Sequence, residues 1–478
     1  MNLKLRPYQE KAVDDLRKSF REGNKSPVLQ LPTGGGKTVC FSFIAEQMAN
    51  NKKSVFILAH RSEIIKQISR TLRQFGVNHG LISPQFTPSL LQKIQVGSVQ
   101  TLVRRLDRYT CPDLIITDEC HHSTSPTYRK IYDHYKKAKL LGVTATPCRT
   151  DGKGLNAVYD DISIGPTMSW LIENEFLSDY KVFAPPSGLD MTGVRKGRNG
   201  DYQTSETVER VDKKTITGCA VEHYQKICPG APAIAFCASV AHAEHVASAF
   251  IQAGIPAKSI DGKMTEEVRH SAIEDLEKGK IKVLTSCDIV SEGTDIPVVT
   301  AAILLRPTLS LIFHLQSCGR ALRTHPSKKI SYIIDHVGNC LTHGLPDDER
   351  EWTLDGDSGK KKKKKEDEVS SVKQCPECYC VHRSVMKQCP ECGYIYTSKI
   401  REPDQIDGEL VEMQKRKAEE EYIKEQAKYA RKRKQASAET IEQLIAFGQS
   451  MGYKNPEGWA KHIYDARQKK KEKNKIIA

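Results

Sequence analysis

The chain has 478 residues, a formal net charge of +14 and 28% charged side chains. This length exceeds what one hydrophobic core normally serves, so we expect two or three domains. Fifteen cysteines without a secretory leader, and no apolar run long enough to span a bilayer, predict a reduced cytoplasmic protein with no membrane partner and exclude a disulfide-stapled secreted fold. Residues 360–478 carry 28 Lys and Arg against 19 Asp and Glu, which favours a polyanionic partner, although lysine-rich surfaces also serve solubility alone.

Short apolar runs alternate with helical patterns in two stretches of the chain. The runs lie at 54–59, 93–97, 113–117 and 140–144, and again at 233–237, 282–286, 299–305 and 330–334. Such βαβ alternation predicts an α/β protein with two parallel-sheet domains. We place the first domain at 1–165, a connecting segment at 166–215 and the second domain at 216–345.

The alternation stops after the second domain. Residues 346–372 hold six consecutive lysines between acidic stretches and predict a charged linker. A cysteine cluster occupies 373–396, and 397–478 predict a basic, helical tail. Within that tail, the composition of residues 414–435 predicts an exposed helix or a partly disordered segment, and the apolar residues from Ile441 onward predict a small two-helix module.

Residues 31–38 read Leu-Pro-Thr-Gly-Gly-Gly-Lys-Thr, between a short apolar run and a helical pattern. Glycines allow backbone amides to close around phosphates, Lys37 can neutralise their charge, and the Thr38 hydroxyl can ligate Mg²⁺. The full phosphate-loop pattern begins with Gly where this chain has Leu31, so the strand-loop-helix context supports the assignment. We expect the following residues to bind ATP: Pro32, Thr33, Gly34, Gly35, Gly36, Lys37 and Thr38.

An acidic pair supplies a carboxylate ligand for Mg²⁺ and a general base, which the loop lacks. Asp118 and Glu119 follow an apolar strand and precede Cys120 and His121. Asp118 can hold Mg²⁺, and Glu119 can orient and deprotonate the attacking water. Alone, the pair could be a solvated strand end; with the loop, it predicts ATP hydrolysis. The carboxyl ends of parallel strands share one sheet edge, so we expect these residues to meet there.

The order of motifs along residues 3–345 resembles that of the superfamily 2 helicases and translocases. The matching blocks are Arg6-Pro7-Tyr8-Gln9, the phosphate loop, Ala59-His60-Arg61, Gly97-Ser98-Val99-Gln100-Thr101, Asp118-Glu119-Cys120-His121, Thr144-Ala145-Thr146-Pro147, Ser291-Glu292-Gly293-Thr294-Asp295 and Gln316-Ser317-Cys318-Gly319-Arg320-Ala321-Leu322-Arg323. The resemblance implies two tandem RecA-like domains, with ATP and Mg²⁺ between them and nucleic acid across both. DNA is favoured over RNA.

The resemblance also implies roles for residues outside the loop. Arg320 and Arg323 lie one helical turn apart and can bind the γ-phosphate across the cleft, with Arg323 as the arginine finger and Gln316 near the water. Further cofactor contacts are implied for Arg6, Tyr8, Gln9, Gly293 and Asp295, although the residues from Arg6 to Gln9 could merely cap the first helix. The resemblance further implies that His121, Thr144 and Thr146 couple the state of the bound phosphates to movement of the domains. Nucleic-acid contacts are implied for His60, Arg61, Gln100, Thr101 and Thr285.

Two matching knuckles lie in the cysteine cluster. They read Cys375-Pro-Glu-Cys378 and Cys389-Pro-Glu-Cys392, and their paired thiolates predict one tetrahedral Zn²⁺. Cys380 and His382 lie close enough to compete as ligands. A ribbon of this size has almost no core, so we expect the metal to provide its folding free energy. Its expected use is docking on DNA or on a protein partner.

Several functions share these motifs. A two-domain motor that ends in a cysteine-rich ribbon is similar to the RadD-like group of bacterial DNA-repair proteins and their phage relatives. The favoured hypothesis is therefore an ATP-dependent DNA helicase or translocase in repair, recombination or replication. A restriction-type DNA translocase subunit without strand separation, an RNA helicase, and an ATPase clamp that recruits partners are the alternatives. No nuclease motif appears after residue 345.

Overall fold

The computed structural model describes residues 4–84, 91–149, 152–186, 189–197, 200–287, 296–356, 372–396, 438, 440–450 and 455–465. The chain divides into two units, Met1–Tyr396 and Thr397–Ala478. In the first unit, two predominantly parallel sheets with flanking helices confirm the predicted fold class of two RecA-like domains.

The first sheet contains seven parallel strands in the order β3-β4-β2-β5-β6-β1-β7. The strands are β1 Pro27–Gln30, β2 Val55–Ala59, β3 Gly80–Ile82, β4 Ile94–Ser98, β5 Leu114–Asp118, β6 Lys139–Thr144 and β7 Asp161–Ile164. The helices are α1 Pro7–Arg21, α2 Lys37–Asn50, α3 Ser62–Gln74, α4 Val99–Leu102 and α5 Pro126–His134. Strands β1, β2 and β5 are buried along their whole length, because helices cover both faces of the sheet.

The second sheet contains eight strands in the order β10-β11-β9-β12-β13-β8-β15-β14. Its strands are β8 Tyr180–Phe183, β9 Ala233–Phe236, β10 Ala257–Ile260, β11 Val283–Ser286, β12 Ala301–Leu304, β13 Ser331–Asp335, β14 Val372–Gln374 and β15 Cys380–Arg383. Its helices and those leading into it are α6 Met168–Glu173, α7 Thr204–Val211, α8 Lys214–Ile227, α9 Val240–Gln252, α10 Glu266–Glu277, α11 Leu311–Ala321 and α12 Asn339–His343.

The predicted connecting segment 166–215 contributes to the second domain. Its strand β8 pairs in parallel with β13, from Ser331 opposite Tyr180 to Ile334 opposite Phe183. Val182 and Ala184 belong to the core of the second sheet. The interpretation of this segment as a connection alone was wrong, because four residues form too short a strand to leave a periodic signal.

The cysteine-rich hairpin is also part of the second sheet. Strand β15 pairs antiparallel with β8, where Cys380 lies opposite Phe183 and Val381 opposite Val182. The backbone N–H of Ala184 donates to the Tyr379 carbonyl at 2.9 Å. Val381 packs in the core of the second sheet, which corrects the expectation that the ribbon has almost no core.

The first part of the predicted linker 346–372 packs on both domains: Asp347 accepts hydrogen bonds from Tyr180 and Arg383 of the second domain, and the residues around Leu354 lie against the first. The Leu354 carbonyl accepts hydrogen bonds from the backbone N–H groups of Leu155 and Asn156, at 2.7 and 3.1 Å. The Leu354 side chain packs against a buried cluster that includes Val28 and Tyr159. The segment up to residue 356 is therefore no simple tether, because it satisfies backbone groups of the first domain.

In the second unit, the structure describes two helices. Helix α13 spans Ile441–Ser450, and residues 456–465 are helical. Leu444 and Ala460 are fully buried, and the rings of Phe447 and Trp459 stack with centroids 5.8 Å apart. The predicted exposed helix at 414–435 lies outside the described residues. Within the described parts of the chain, no helix has the length and apolarity needed to cross a membrane.

Candidate active site

A cleft between the two domains holds most of the predicted catalytic residues. Its volume is about 280 Å³. The first domain lines it with Arg6, Thr33, Gly34, Gly36, Lys37, Thr38, Val39, Ile64, Gln67, Thr71, Asp118 and Glu119. The opposite side is lined by Phe176, Leu177, Pro297, Gln316, Arg320, Arg323 and Thr324. The acidic pair and the arginine pair therefore share one cavity, as predicted for groups that face each other across ATP. They are about 200 residues apart in the sequence.

The phosphate loop joins β1 to the start of α2. Gly34 and Gly36 have φ angles of +85° and +83°, which glycine adopts without steric cost. A Cβ atom at Gly34 would lie 2.7 Å from Leu177 Cδ2, so this position also has no space for a side chain. Helix α2 begins at Lys37, and its free N–H groups and dipole favour an anion at this end of the cleft.

The acidic pair ends strand β5. Asp118 is the last residue of the strand, and its Oδ1 accepts a hydrogen bond from the Glu119 N–H at 3.0 Å. Glu119 has a φ angle of +48°, a left-handed conformation that costs a non-glycine residue about 1–2 kcal/mol. This turn directs both carboxylates into the cleft. Strain at this position is consistent with a functional requirement.

The three predicted coupling residues form a network with Glu119. The Thr144 hydroxyl lies 3.3 Å from Glu119 Oε2 and 3.2 Å from His121 Nδ1. It accepts a hydrogen bond from the Thr146 N–H at 3.2 Å. His121 Nδ1 also lies 3.4 Å from Glu119 Oε2. Thr144 of strand β6 therefore contacts the predicted general base through its hydroxyl, and His121 contacts both residues through its imidazole.

Helix α11 supplies the second wall. A Cβ atom at Gly319 would lie 2.6 Å from Thr33 Cγ2, so glycine is needed for this helix to approach the phosphate loop. Arg320 is 7% exposed and Gln316 is 3% exposed. The helix ends at Ala321, so Arg323 lies just beyond it and not on it as predicted. The backbone of Arg323 pairs with Leu177 in an isolated antiparallel bridge.

The side chains of this cleft fit a magnesium nucleotide. Lys37 and the two carboxylates of Asp118 and Glu119 lie on the first wall, and Arg320 and Arg323 line the opposite wall. The buried Gln316 Nε2 donates no hydrogen bond to any residue that the structure describes. A buried donor without an acceptor costs about 1–3 kcal/mol, and a phosphate oxygen or a water molecule could accept from it. Thr38 and Asp118 would hold the metal, which would neutralise charge on the phosphates.

The first residues of α1 contact the phosphate loop. The Gln9 Oε1 accepts a hydrogen bond from the Arg6 N–H at 2.9 Å, while its Nε2 donates to the Gly35 carbonyl at 3.3 Å. The Tyr8 hydroxyl donates to the same carbonyl at 3.1 Å, and burial raises the pKa of Tyr8. Gln9 therefore caps α1, the alternative considered from the sequence, and adenine recognition by these residues stays a prediction.

Sequence reasoning missed the aromatic side of the cleft. The Arg6 guanidinium lies 4.8 Å from the ring centroid of Phe176, and Tyr8 packs on the same ring at 4.9 Å. Phe176 and Leu177 come from the segment interpreted as a connection. The aromatic and aliphatic residues from Met168 to Leu177 were the available signal. Also missed were lining residues Ile64, Gln67 and Thr71 of α3, together with Pro297 and Thr324.

The predicted nucleic-acid contacts fall into two groups. Gln100 is exposed, and the His60 and Arg61 side chains are partly exposed, whereas Thr101 is 7% exposed but lines an open cavity on the first domain. Thr285 is fully buried, and its hydroxyl donates to the Ala243 carbonyl at 2.7 Å. The prediction that the Thr285 hydroxyl contacts nucleic acid was therefore wrong. The predicted residues Gly293 and Asp295 lie outside the described residues.

A row of imidazoles connects the predicted nucleic-acid loop to the catalytic network. The rings of His60 and His122 have centroids 4.4 Å apart, and those of His122 and His121 are 4.1 Å apart. His121 in turn contacts Glu119. His122 was not predicted, and its position beside His121 in the sequence was the available signal.

Two cysteines near the cleft have no chemical role there. Burial raises the pKa of Cys40 to about 12, and burial also raises the pKa of Cys120 well above its usual value. Protonated, buried thiols are poor nucleophiles. Both side chains therefore serve packing.

The four knuckle cysteines converge in the described structure. Their Sγ atoms lie within 4.8 Å of one another, and the pairs Cys375–Cys392 and Cys378–Cys389 are each 3.6 Å apart. A tetrahedron with Zn–S bonds of about 2.3 Å has S–S edges of about 3.8 Å, so the spacing fits a single zinc ion.

The two other possible ligands are engaged elsewhere. His382 Nε2 lies 2.7 Å from the Tyr396 hydroxyl, and its Nδ1 lies 3.1 Å from the Arg383 carbonyl. The Cys380 thiol donates to the Val381 carbonyl at 3.9 Å. Neither residue belongs to the group whose ligand atoms converge.

Comparisons with known families match both domains. Residues 2–149 match the model of the type III restriction enzyme res subunit, and residues 219–325 match the helicase conserved C-terminal domain. A 51.5 kDa protein of Lactococcus phage (isolate 7-9) is 37% identical over 351 residues, which are 73% of this chain and 74% of that protein.

More distant relatives are longer than the matched region. The Saccharomyces cerevisiae protein IRC3, assigned as an ATP-dependent helicase, is 32% identical over 70% of this chain but only 51% of its own length. Among solved structures, a fragment assigned as the HsdR subunit of a type I restriction enzyme from Vibrio vulnificus YJ016 has a TM-score of 0.57 and 21% identity. The match covers 71% of this chain and 65% of that fragment. At this identity the similarity shows the fold alone.

Proposed function

This chain belongs to the superfamily 2 helicases, which are ATP-dependent enzymes acting on nucleic acid, and from that premise we propose that it translocates along DNA by closing its two domains on Mg²⁺-ATP. DNA repair, recombination or replication is the proposed setting. Cytoplasmic localisation stays a prediction.

One observation carries this proposal. Arg320 and Arg323 of the second domain line the same cavity as Lys37 and Glu119 of the first. A positive group that crosses the cleft binds the γ-phosphate only while the domains are closed, so loss of that phosphate weakens closure. Hydrolysis is thereby tied to a change in the separation of two surfaces that both contact nucleic acid.

The residues of the first wall have distinct tasks in this cycle. The phosphate loop and Lys37 bind the triphosphate, and Glu119 accepts a proton from the attacking water. Because Thr144 and His121 contact the Glu119 carboxylate, a shift of strand β6 would move the general base. Bound Mg²⁺ would supply charge neutralisation at the phosphates.

The proposal is tested by nucleic-acid-stimulated ATPase measurements on the full chain. We expect single-stranded or branched DNA to raise ATP turnover, and RNA to do so less. Strand displacement on duplexes with 3′ and 5′ overhangs would then report unwinding and its direction. No stimulation by any polynucleotide would refute the motor and favour the ATPase clamp.

A restriction-type translocase subunit is the second candidate. The match of residues 2–149 to the res subunit model favours it. Such a translocase would show DNA-stimulated ATPase activity and displacement of a triplex-forming strand, without separation of a plain duplex. The displacement assays therefore distinguish the two candidates.

We also propose that Cys375, Cys378, Cys389 and Cys392 bind Zn²⁺, and that the hairpin or the tail contacts DNA or a protein partner. A motor followed by this cluster supports placement in the RadD-like group. Because β15 pairs with β8, we expect metal removal to lower the unfolding midpoint of the second domain by roughly 10 °C. Cys389→Ser should do the same, whereas Cys111→Ser, at an exposed cysteine outside the cluster, should not.

A further inference from the structure

A second cavity lies on the first domain, outside the ATP cleft. Its volume is about 640 Å³, and α3, the end of β3 and α4 line it. The predicted nucleic-acid residues Gln100 and Thr101 are on its rim. Ser98 of the same motif also lines it, and the remaining polar lining consists of basic and hydroxyl side chains outside the motifs, apart from Glu266 of the second domain. We call this cavity the basic groove.

The basic groove is strongly cationic. Lys66, Arg70 and Arg73 occupy positions i, i+4 and i+7 of α3 and therefore share one face of the helix. Arg104 follows α4 and lines the same cavity. All four side chains are exposed. Like charges this close repel one another, and a bound anion would relieve that repulsion.

Three of these cations have no acidic partner in the part of the chain that the structure describes. No ion pair involves Arg70, Arg73 or Arg104 among the described residues. Residues 85–90, which lie outside the described residues, contain no Asp or Glu in the sequence. The guanidinium groups are therefore available for anionic ligands, and guanidinium groups match phosphate geometry well.

The size and lining of the basic groove fit a nucleic-acid backbone. The seven helical steps from Lys66 to Arg73 span about 10 Å of helix axis, comparable to three steps of about 3.4 Å along the axis of a DNA duplex. The exposed Gln100 amide lines the groove with the cations, whereas the Ser69 hydroxyl is buried against His79 and the Ser98 hydroxyl donates to Gln100 Oε1. The groove therefore offers an amide donor beside its cations. Such donors contact phosphates and sugars without reading sequence, as translocation requires.

Glu266 is the one acidic residue that lines the basic groove among the described residues. It is the first residue of α10 and forms an ion pair with Lys66. Beside it, Arg269 of α10 pairs with Glu63 of α3 at 2.5 Å. These two ion pairs connect the domains at one end of the groove, where a carboxylate occupies the position that a phosphate would take next to Lys66.

We propose that the basic groove binds the phosphate backbone of nucleic acid through Arg70, Arg73 and Arg104, and that Glu266 competes with a phosphate for Lys66. This inference rests on the proposed function and extends the nucleic-acid track of the first domain beyond Gln100 and Thr101. Entry of nucleic acid would then exchange one interdomain ion pair for a protein–phosphate contact.

The test measures binding of a fluorescent single-stranded oligonucleotide to the full chain as salt is varied. We expect the variant R70A/R73A/R104A to bind at least tenfold more weakly at low salt. Its slope of log affinity against log salt should fall by about 2, since each lost phosphate contact on a single strand removes about 0.7. The matched variant R17A/R21A/R129A removes three exposed arginines outside the groove and should bind like wild type.

Wild-type affinity and slope in R70A/R73A/R104A would overturn the inference. Polynucleotide-stimulated ATPase in the wild-type chain would show in that case that the proposed function still stands. Loss of poly-L-glutamate binding with unchanged oligonucleotide binding would assign the groove to an acidic protein and would also overturn it.

The competition by Glu266 has its own test. An exposed ion pair contributes little, so we expect E266Q to bind the oligonucleotide about two- to fivefold more tightly than wild type. In a K66A background the same substitution should leave the oligonucleotide affinity unchanged, because the lysine that E266Q would release is absent. Equal affinity of E266Q and wild type would contradict the competition.

Discussion

The two walls of the ATP cleft differ in how far their polar groups are already held in place. On the first wall, Glu119, His121 and Thr144 contact one another, and the loop glycines have their left-handed conformations. On the second wall, the buried amide nitrogen of Gln316 has no acceptor among the described residues. We infer that Glu119 on the first wall is already held by its neighbours, whereas the nucleotide completes the contacts of Gln316 on the second wall; Thr146 Oγ1 of the first wall likewise has no partner among the described residues.

Removal of the second wall's charge should have the largest effect. Arg323→Ala should lower nucleic-acid-stimulated ATP turnover by about 10³-fold or more, as expected for an arginine that stabilises the transition state. Arg323→Lys should restore little of it, because an ammonium cannot reproduce the guanidinium geometry. Stimulated turnover within tenfold of wild type in Arg323→Ala would remove Arg323 from the site.

Removal of the general base on the first wall should have the next largest effect. Glu119→Gln should lower turnover by about 10²- to 10⁴-fold while ATP and nucleic acid still bind. The amide keeps the size of the side chain but accepts no proton. Hydrolysis and binding measured on the same preparation separate these effects, and near-normal turnover would show that another group is the base.

Contact between the walls is tested by adding one methyl group. In Gly319→Ala the new Cβ would lie 2.6 Å from Thr33 Cγ2, so the walls should separate and stimulated turnover should fall on the order of 10²-fold. Gly218→Ala is the matched control, because a Cβ there meets nothing within 4 Å. Equal activity of both variants would mean that the walls need not approach this closely.

The smallest effect should come from the imidazole row. His122→Ala removes the ring between His60 and His121, and we expect stimulation by DNA to fall several-fold while turnover without DNA is retained. His134→Ala, at an exposed histidine on α5, is the control. A parallel loss of basal and stimulated turnover would indicate that His122 supports the catalytic network and does not link it to DNA.

The sequence predicted the parts of the cleft that depend on local chemistry. Lys37, Asp118 and Arg320 could be placed because motifs at strand and helix ends converge on one edge of each sheet. It could not predict that Leu177 lies against Gly34 of the phosphate loop, since that contact depends on tertiary packing of a segment without periodicity. The burial of Thr285 was missed for a similar reason, because a strand-end hydroxyl can face either solvent or a neighbouring helix.

The same limit explains the cysteine-rich hairpin. The spacing of Cys375, Cys378, Cys389 and Cys392 identified the cluster that the structure brings together. The pairing of β15 with β8 joins residues almost 200 positions apart and follows from an unpaired sheet edge, which has no local sequence signal.

The most direct test compares the equilibrium affinities of Arg323→Ala and Lys37→Ala for ATP. It asks whether the first wall binds the nucleotide while the second wall acts in turnover. We expect Arg323→Ala to bind ATP within about threefold of wild type, since an interaction made mainly in the transition state contributes little to ground-state binding. Lys37→Ala should bind ATP far more weakly. Loss of ATP binding in Arg323→Ala as severe as in Lys37→Ala would contradict a first wall that binds the nucleotide and a second wall that acts in turnover.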